Sequence, residues 1–543
     1  MKRTASFGEY DSTRGSTREA TPELTEYGYL LHQQGSRPVK TICDSVHGQI
    51  PLTPEELQFI DTLQFQRLRE IKQLANCYLV FPGAVHTRFE HSIGTSYLAR
   101  LWTKKLQDYQ PELGLDKRDI DCVAIAGLVH DLGHGPFSHL FDGPFMKAIR
   151  KQGGSQATDN WSHEDASEMM FDYLIDQNGI DFSNTDRSFV KSLVQGKPVN
   201  CAGEDQEKVF LYDIVANKQN SIDVDKFDYF LRDAKNVGIK TDFDYQRLMD
   251  NSAVIGNRIC FQEKMAFQVY DLYGVRFKLH KTVYKHRVGR AVEAMMVDAM
   301  LLAEPYLKFS EAIHSPERFQ DLTDHTVLND ICRSKRPELE GARKLIQRMK
   351  IRDLYSIVHE FLVTEEQKPI VKENLTREAI AAAGEGSWNL KPGDIFIDEV
   401  TTNYAMNKKN PVDSVNFYSR WGAQNSFKIP KEQVSGLLPN TFEETYIKVY
   451  SCHKEKMYFV QQALQIVLKR LLPKESRVFR SAMTIPCKES PFIRRGQPPR
   501  TPSFSRMAPG SHPGLSTASK RRRSEKDVRS NSLLGRDLFS VKE

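Results

Sequence analysis

The stretch GLVHDLGHGPFSHLF (Gly127–Phe141) constrains this chain more than any other. It gathers three histidines and an aspartate directly behind RDIDCVAIAGLV, a run that turns apolar or small from Val123 onward. Such a run suits a helix buried on every side. The periodicity predicts helix to about Leu132, after which Gly133, Gly135 and Pro136 break it. His130 and Asp131 are then expected in the last turn of a buried helix, with His134 four residues past His130. A bare carboxylate in that position is costly unless it is paired or coordinated.

An isolated His–Asp pair in a core is usually a satisfied hydrogen bond. Three features argue for more. His91 follows Arg88 on FEHSIGTSYLARLWTKKL, read as an amphipathic helix with Thr87 and Glu90 spaced as a capping box and Ile93, Tyr97, Leu98 and Leu101 on its apolar stripe. FSHLFDG then adds His139 and Asp142, and WSHED adds His163 and Glu164. Far downstream, DVDKFDYFLRD sets Asp225, Tyr229 and Asp233 at i, i+4 and i+8, on one helix face. Two imidazoles and two carboxylates suit a borderline-to-hard divalent ion such as Zn, Fe, Mn, Ni or Mg. The arrangement His91 … His130-Asp131 … Asp225 follows the pattern of HD-domain metal-dependent phosphohydrolases. There is no GxxxxGK[ST] and no GxGxxG after a strand, so phosphates would have to be held by the metal and by side chains. Arg88, Lys226 and Arg276 are the candidates beside these residues.

The rest of the chain sets the frame. At 543 residues it can bury at least one large core. The formal charge of +6 is misplaced for a nucleic-acid-binding body: from Pro491 onward there are 12 Lys and Arg against 4 Asp and Glu, leaving the remainder slightly acidic. Eight scattered cysteines without a CxxC pair, and no apolar h-region at the N-terminus, point to a reducing compartment and to no disulfides. No segment has the length of apolar sequence a membrane helix needs, so no membrane partner is expected. Residues 1–36 read as a disordered arm and 488–543 as a disordered basic tail. Between them the pattern is mostly α, with strand-like alternation mainly after residue 390, in DIFIDEV and TYIKVYS, and a strong closing helix in MYFVQQALQIVLKRLL.

The wording is more specific than the HD pattern alone. KTICDSVHGQI, DTLQFQRLREIKQL, VFPGAVHTRFEHSIGTSYLA, IAGLVHDLGHGPFSHLFDG, DVDKFDYFLRD and KNPVDSVNFYSRW closely resemble the eukaryotic SAM-and-HD-domain deoxynucleoside triphosphate triphosphohydrolases, from about Pro38 to about Leu472. Residues 1–36 are too short and polar for a sterile-alpha-motif domain. The resemblance implies a helical HD phosphohydrolase domain over 37–300, and a C-terminal α+β lobe over 301–487 supporting oligomerisation and allosteric sites. It implies hydrolysis of dNTPs to deoxynucleoside and inorganic triphosphate, with His91, His130, Asp131 and Asp225 as metal ligands. His139 would donate a proton to the 5′-oxygen, and His134, His163, Asp142 and Glu164 would complete the acid–base set. Arg88, Lys226 and Arg276 would neutralise the triphosphate, with Tyr229 and Asp233 lining the site. Gln73 and Leu74 would touch the sugar, and Tyr284 would crowd its 2′ position.

The resemblance also implies activation by GTP and a dNTP, carried with Mg, that bind between subunits and drive tetramer formation. The guanine-site positions are met by Lys40, Asp61, Gln66 and Arg69. Those of the second site are met by Val80, Phe81, Arg247, Lys264, His286 and Arg287. Thr41, Cys43, Gln262 and Lys285 depart from the animal enzyme's Val, Asn, Arg and Gln. SKRRRSEK (Ser519–Lys526) reads as a nuclear localisation signal or a nucleic-acid-touching patch, consistent with nucleus, cytoplasm or both. Thr501, before Pro502, reads as a phosphorylation site. Two alternatives remain open at this level: another HD-domain nucleotide phosphohydrolase, and a single-stranded nucleic-acid-binding protein with a vestigial HD site.

Overall fold

The computed structural model describes residues 40–153, 161–198, 208–384, 386–421 and 425–472. The arm, the tail, Thr501 and Ser519–Lys526 lie outside the described residues. Helices dominate, as the periodicity requires, and three small sheets accompany them.

Two helices form the centre. α1 (Arg88–Tyr109) begins where expected: Glu90 accepts from the Thr87 backbone N–H at 2.9 Å. It departs from the expected amphipathic stripe, because nearly every residue from Arg88 to Leu106 is buried. The face opposite Ile93 and Leu101 carries small polar residues whose hydroxyls return to backbone carbonyls. Thr95 donates to His91 O, Thr103 to Ala99 O, and Ser96 to Ala124 O on the neighbouring helix. That neighbour, α2 (Lys117–Val129), is buried almost all round. The two helices approach closely at Gly127, where a Cβ would sit 3.1 Å from Thr95 O and 3.2 Å from Ala99 Cβ. Packing at this small-residue seam brings His91 opposite His130.

α2 ends sooner than the periodicity suggests. His130 caps it and Asp131 lies beyond. The His130 ring turns back so that its Nδ1 meets Gly127 O at 2.8 Å, and Leu132 N–H donates to Val129 O, which tightens the exit.

α3 (His163–Asn178) and α4 (Asn184–Gln195) flank this pair. α5 (Val224–Val237) starts with Asp223 accepting from the Lys226 N–H and stops at Gly238, whose φ of +74° completes a left-handed cap. α6 (Ala266–Leu279) and α7 (Arg287–Leu307) follow.

Strands are not confined to the region after residue 390. β1 (Lys40–Asp44) and β2 (Gly48–Leu52) form an antiparallel hairpin. β3 (Ser252–Ile255) and β4 (Arg258–Gln262) form another around Gly256 and Asn257, both at positive φ. β4 pairs in parallel with β7 (Phe417–Tyr418), which pairs with β8 (Ser426–Phe427). The third sheet runs β5 (Ser356–Val363), β9 (Glu443–Ser451), β6 (Ile395–Asn403), all antiparallel, and holds the two strands expected from DIFIDEV and TYIKVYS. α8 (Met457–Leu471) packs on it.

The larger hydrophobic core draws on residues from Ile50 to Cys452, with Trp102, Phe227 and Tyr273 fully buried. A smaller one between the third sheet and α8 draws on Val358 to Leu472. The six described cysteines are free thiols. No helix among the described residues is long and apolar enough to cross a membrane.

Candidate active site

α1, α2 and α5 converge on one cluster. His91 Nε2 stands 3.1 Å from Asp225 Oδ1 and 3.4 Å from Asp131 Oδ2. His130 Nε2 stands 3.3 Å from Asp131 Oδ1 and 3.6 Å from Asp225 Oδ1. Donor atoms of His91, His130 and Asp225 all lie within 4.8 Å of one another. Both Nε2 atoms are buried and meet no partner in hydrogen-bonding geometry. Buried polar atoms are rarely left so, and here they converge with the Asp225 carboxylate, Asp131 standing beside them, which fits a divalent cation. The electrostatics point the same way. Burial works against a charged His91, yet the nearby carboxylates of Asp225, Asp228 and Asp131 push it up to about 10. Asp225 is held below the usual carboxylate range by His130 and His91 against the cost of burial.

Other residues orient these groups. Asp228, one turn along α5 from Asp225, accepts from His91 Nδ1 at 2.7 Å and from His47 Nε2 at 2.7 Å. Arg232 donates to both Asp228 oxygens at 2.8 Å and to Asp44 at 2.8 Å. Arg88 donates to Asp131 at 2.7 Å and to Ser138 Oγ at 3.0 Å. Arg67, fully buried and pushed down to about 9 by that burial, donates to the carbonyls of Leu132, His134 and Leu322. It pins the loop after α2.

That loop delivers a second cluster. Gly133 has no room for a side chain, because a Cβ would overlap His163 O and Ser167 N, so α3 seats its first turn directly on the loop. His163 thereby stacks on His134, with ring centroids 4.2 Å apart. Phe137 and Ser138 adopt φ of +60° and +52°, reversing the chain so that the His139 ring comes 4.9 Å from that of His134. Asp142 Oδ2 accepts from His163 Nδ1 at 2.6 Å and lies 3.4 Å from His139 Nδ1. His134 Nε2 is 3.2 Å from Asp131 Oδ1, which ties the clusters together. Burial drives His134 well below the ordinary histidine value, whereas the Asp142 hydrogen bond overcomes burial to raise His163. Glu164 Oε2 stands 3.5 Å from His163 Nδ1.

A cavity of about 1190 Å³ opens over both clusters. Of the residues expected at a metal, catalytic or substrate site, all but the fully buried His91 line it. Further members are engaged with neighbours: Lys226 with Asp223, Arg276 with Asn403 O at 2.6 Å, and Tyr284, whose hydroxyl donates to Asp233 Oδ2 at 2.6 Å. The other Asp233 oxygen meets His86 Nε2 at 2.7 Å. Sequence reasoning missed Asp228, His47, His86 and Arg232, and also Lys147, Arg150 and Lys218, which with Lys285 add positive charge to the cavity wall.

The positions expected at the activator sites are scattered over the surface. Gln66 and Arg69 sit together, Arg69 Nε donating to Gln66 Oε1 at 2.7 Å while its guanidinium covers the Phe89 ring. Asp61 caps the preceding helical turn (Pro54–Ile60), and Lys40 lies on β1. Phe81 meets His286 edge to face at 5.6 Å, with Val80 before it and Arg287 opening α7. Arg247 and Lys264 lie on separate exposed turns.

Comparison with known proteins agrees with this geometry. A model of the HD domain matches residues 88–182, and one of the HD associated region matches 243–469. The deoxynucleoside triphosphate triphosphohydrolase SAMHD1 homolog of Dictyostelium discoideum is 42% identical over 448 residues, 82% of this chain and 84% of that protein. Deoxynucleoside triphosphate triphosphohydrolase SAMHD1 of Danio rerio is 41% identical over 474 residues, 79% of this chain and 75% of that protein. The Homo sapiens protein of the same name is 40% identical over 482 residues, 81% of this chain and 76% of that protein.

Proposed function

The chain belongs to the SAMHD1 family of deoxynucleoside triphosphate triphosphohydrolases, and from that membership we propose that it hydrolyses dNTPs to a deoxynucleoside and intact inorganic triphosphate, so controlling dNTP pools. The observation that carries the reading is the single cavity shared by a ligand-type His/Asp cluster, an acid–base cluster, a cationic wall and two tyrosines.

His91, His130, Asp131 and Asp225 would hold a divalent ion. When bound, that ion supplies Lewis acidity toward the phosphate oxygens and activates water. Arg88, Lys226 and Arg276 neutralise the triphosphate. Arg88 is fixed in advance by Asp131 and Ser138, so little reorganisation accompanies charge development. His139, largely exposed into the cavity, donates its proton to the departing 5′-oxygen. Asp142 orients His139 and His163 together, with His134 and Glu164 completing the set. Tyr229 and Asp233 line the pocket; Gln73 and Leu74 would contact the sugar, and Tyr284, anchored by Asp233, would crowd its 2′ position.

Incubation with each dNTP, with and without GTP, followed by chromatography tests the reading. Intact triphosphate is expected. Pyrophosphate or monophosphate as the first product would overturn it, and His130→Ala with Asp131→Ala should abolish turnover.

The regulatory part of the proposal is activation by GTP and a dNTP, each with Mg, driving assembly to a tetramer. Lys40, Asp61, Gln66 and Arg69 would take the guanine nucleotide. Val80, Phe81, Arg247, Lys264, His286 and Arg287 would take the dNTP, with one cation fewer because Gln262 stands in place of an arginine. Without GTP, light scattering should find a smaller and slower species; full activity without it would remove Lys40–Arg69 from regulation. The basic tail segment supports residence in the nucleus, the cytoplasm or both.

A further inference from the structure

One cation in the cavity wall is left over when the charges around it are paired. Lys285 follows Tyr284 directly and precedes α7, and among the described residues its ammonium makes no hydrogen bond or ion pair. The two carboxylates that act on it, Glu293 and Asp398, are both taken by Arg290, the first at 2.6 Å and the second through two bonds of 2.7 and 2.8 Å. Lys448 adds further positive charge, its ammonium donating to the Lys285 carbonyl at 2.6 Å. Burial, then Arg290 and Lys448, holds the Lys285 ammonium below the ordinary lysine range against the pull of Glu293 and Asp398. The chain alone does not satisfy this charge.

Its place in the cavity says what could satisfy it. The phosphates belong with Arg88 and the His/Asp clusters, and the sugar with Gln73, Leu74 and Tyr284. None of the groups acting on Lys285 belongs to either cluster. Lys285 lines the cavity next after Tyr284, together with Gly289, Arg290 and Glu293. Gly289 leaves room there, because a Cβ would meet only His286 Cβ, at 3.8 Å. A second observation points to a polar ligand edge. Asn76 also lines the cavity, is 4% exposed, and has neither amide atom hydrogen-bonded. The short turn that carries it, Ala75–Leu79, packs on α7. Buried polar groups are rarely left without partners, and a base edge would supply them.

We propose that Lys285 is a specificity residue that reads the base of the substrate, favouring dGTP over dATP and dTTP over dCTP. An ammonium can only donate. Guanine offers it O6 and N7 as acceptors and thymine offers O4, whereas adenine and cytosine carry an amino donor where those bases carry the oxo group. A glutamine, the residue of the animal enzyme at this position, could turn either end of its amide to the base and would choose less. The inference rests on the hydrolase reading and adds to it a base preference belonging to this chain.

Internal competition tests it. The full chain, with GTP and a divalent metal, is given dGTP and dATP together, and separately dTTP and dCTP together. Both members of a pair then meet the same enzyme in the same state of activation, so the ratio of their consumption at equal concentration is the ratio of kcat/KM. The wild type should favour the oxo base about fivefold or more in each pair. Lys285→Gln and Lys285→Met should both bring the ratios to within about twofold of unity. A purely structural role for Lys285 would lower all four rates together and leave the ratios where they were. Turnover with ratios unmoved in both variants, or a wild type that shows no preference or prefers dATP or dCTP, overturns the proposal alone. Absence of inorganic triphosphate from every dNTP would instead overturn the hydrolase reading, and this inference with it.

Discussion

His91 Nδ1 and Asp228 Oδ2 stand 2.7 Å apart, both side chains fully buried. This contact fixes which nitrogen of His91 carries hydrogen, and so directs Nε2 toward Asp131 and Asp225. Asp228 is itself held by His47 and by two bonds from Arg232, which keep it well below the usual carboxylate range despite burial. A charged, orienting carboxylate behind the His91 imidazole is what gives the cluster its directionality.

Replacing Asp228 should therefore act at a distance. Asp228→Asn keeps the volume but loses the charge that faces His91 and Arg232. Metal affinity at the His91 site should fall by about 10- to 100-fold, and turnover with it. Asp228→Ala strands Arg232 with Asp44 alone and should cost about 3–5 kcal/mol of stability. Dialysis against a metal buffer reads the first effect and urea denaturation the second.

Gly94 on α1 is the position against which this network rests. A Cβ there would overlap Asp228 Oδ1 and come 2.6 Å from Arg232 Nη2. Gly94→Ala improves helix propensity, so an exposed glycine at the same depth in a helix would gain stability on the change, by roughly 0.5–1 kcal/mol. Here the opposite sign is expected: a lower Tm than wild type and weaker metal retention. A rise in Tm with full metal content would mean that α1 and α5 separate freely.

Much of this was legible in the sequence. The His/Asp cluster stands out because His-Asp behind a buried helix is chemically conspicuous, and the breaks at Gly133, Gly135 and Pro136 mark the loop that follows. Asp228 does not stand out: in VDKFDYFLRD it is one acid among several, and its partner His47, with the Asp44 that holds Arg232, comes from a hairpin more than 180 residues upstream. The strand SIVHEFLV was obscured by a bulge between Ile357 and His359, which breaks its alternation. The β3–β4 hairpin did carry a signal, Gly256-Asn257 between two apolar runs. The depth of α1 was missed because Ser92, Thr95 and Ser96 look solvated until another helix is known to cover them.

Tyr284 gives a selectivity test. Its ring is held by the bond to Asp233, which His86 steadies from the other side. Tyr284→Phe keeps the ring, and should preserve discrimination against ribonucleoside triphosphates while loosening substrate binding slightly. Tyr284→Ala opens the space and should raise relative hydrolysis of the ribonucleotide about tenfold or more. Competition between a dNTP and its ribose counterpart measures the ratio directly; equal ratios in the alanine variant and the wild type would take Tyr284 out of selection.

Asp324 predicts an uncommon pH dependence. Its Oδ1 accepts from the Phe137 N–H at 2.6 Å and its Oδ2 from the Lys72 N–H at 3.1 Å, so it braces the loop that carries His139. Burial dominates over these donors and over Lys72 and Arg67, and pushes its carboxyl up from 3.8 to about 6. The folded chain therefore binds this proton more tightly than the unfolded chain. The resulting stabilisation is complete below the unfolded value near 4 and is lost as pH rises through about 6. Asp324→Asn removes the titration and leaves a single acceptor for two N–H groups, a loss of about 1–3 kcal/mol. Denaturation midpoints taken from pH 4 to pH 7 should thus differ most at the acid end, with the gap between wild type and Asp324→Asn narrowing as pH rises. A gap that stays constant across this window would show that Asp324 is already ionised in the folded chain at the acid end.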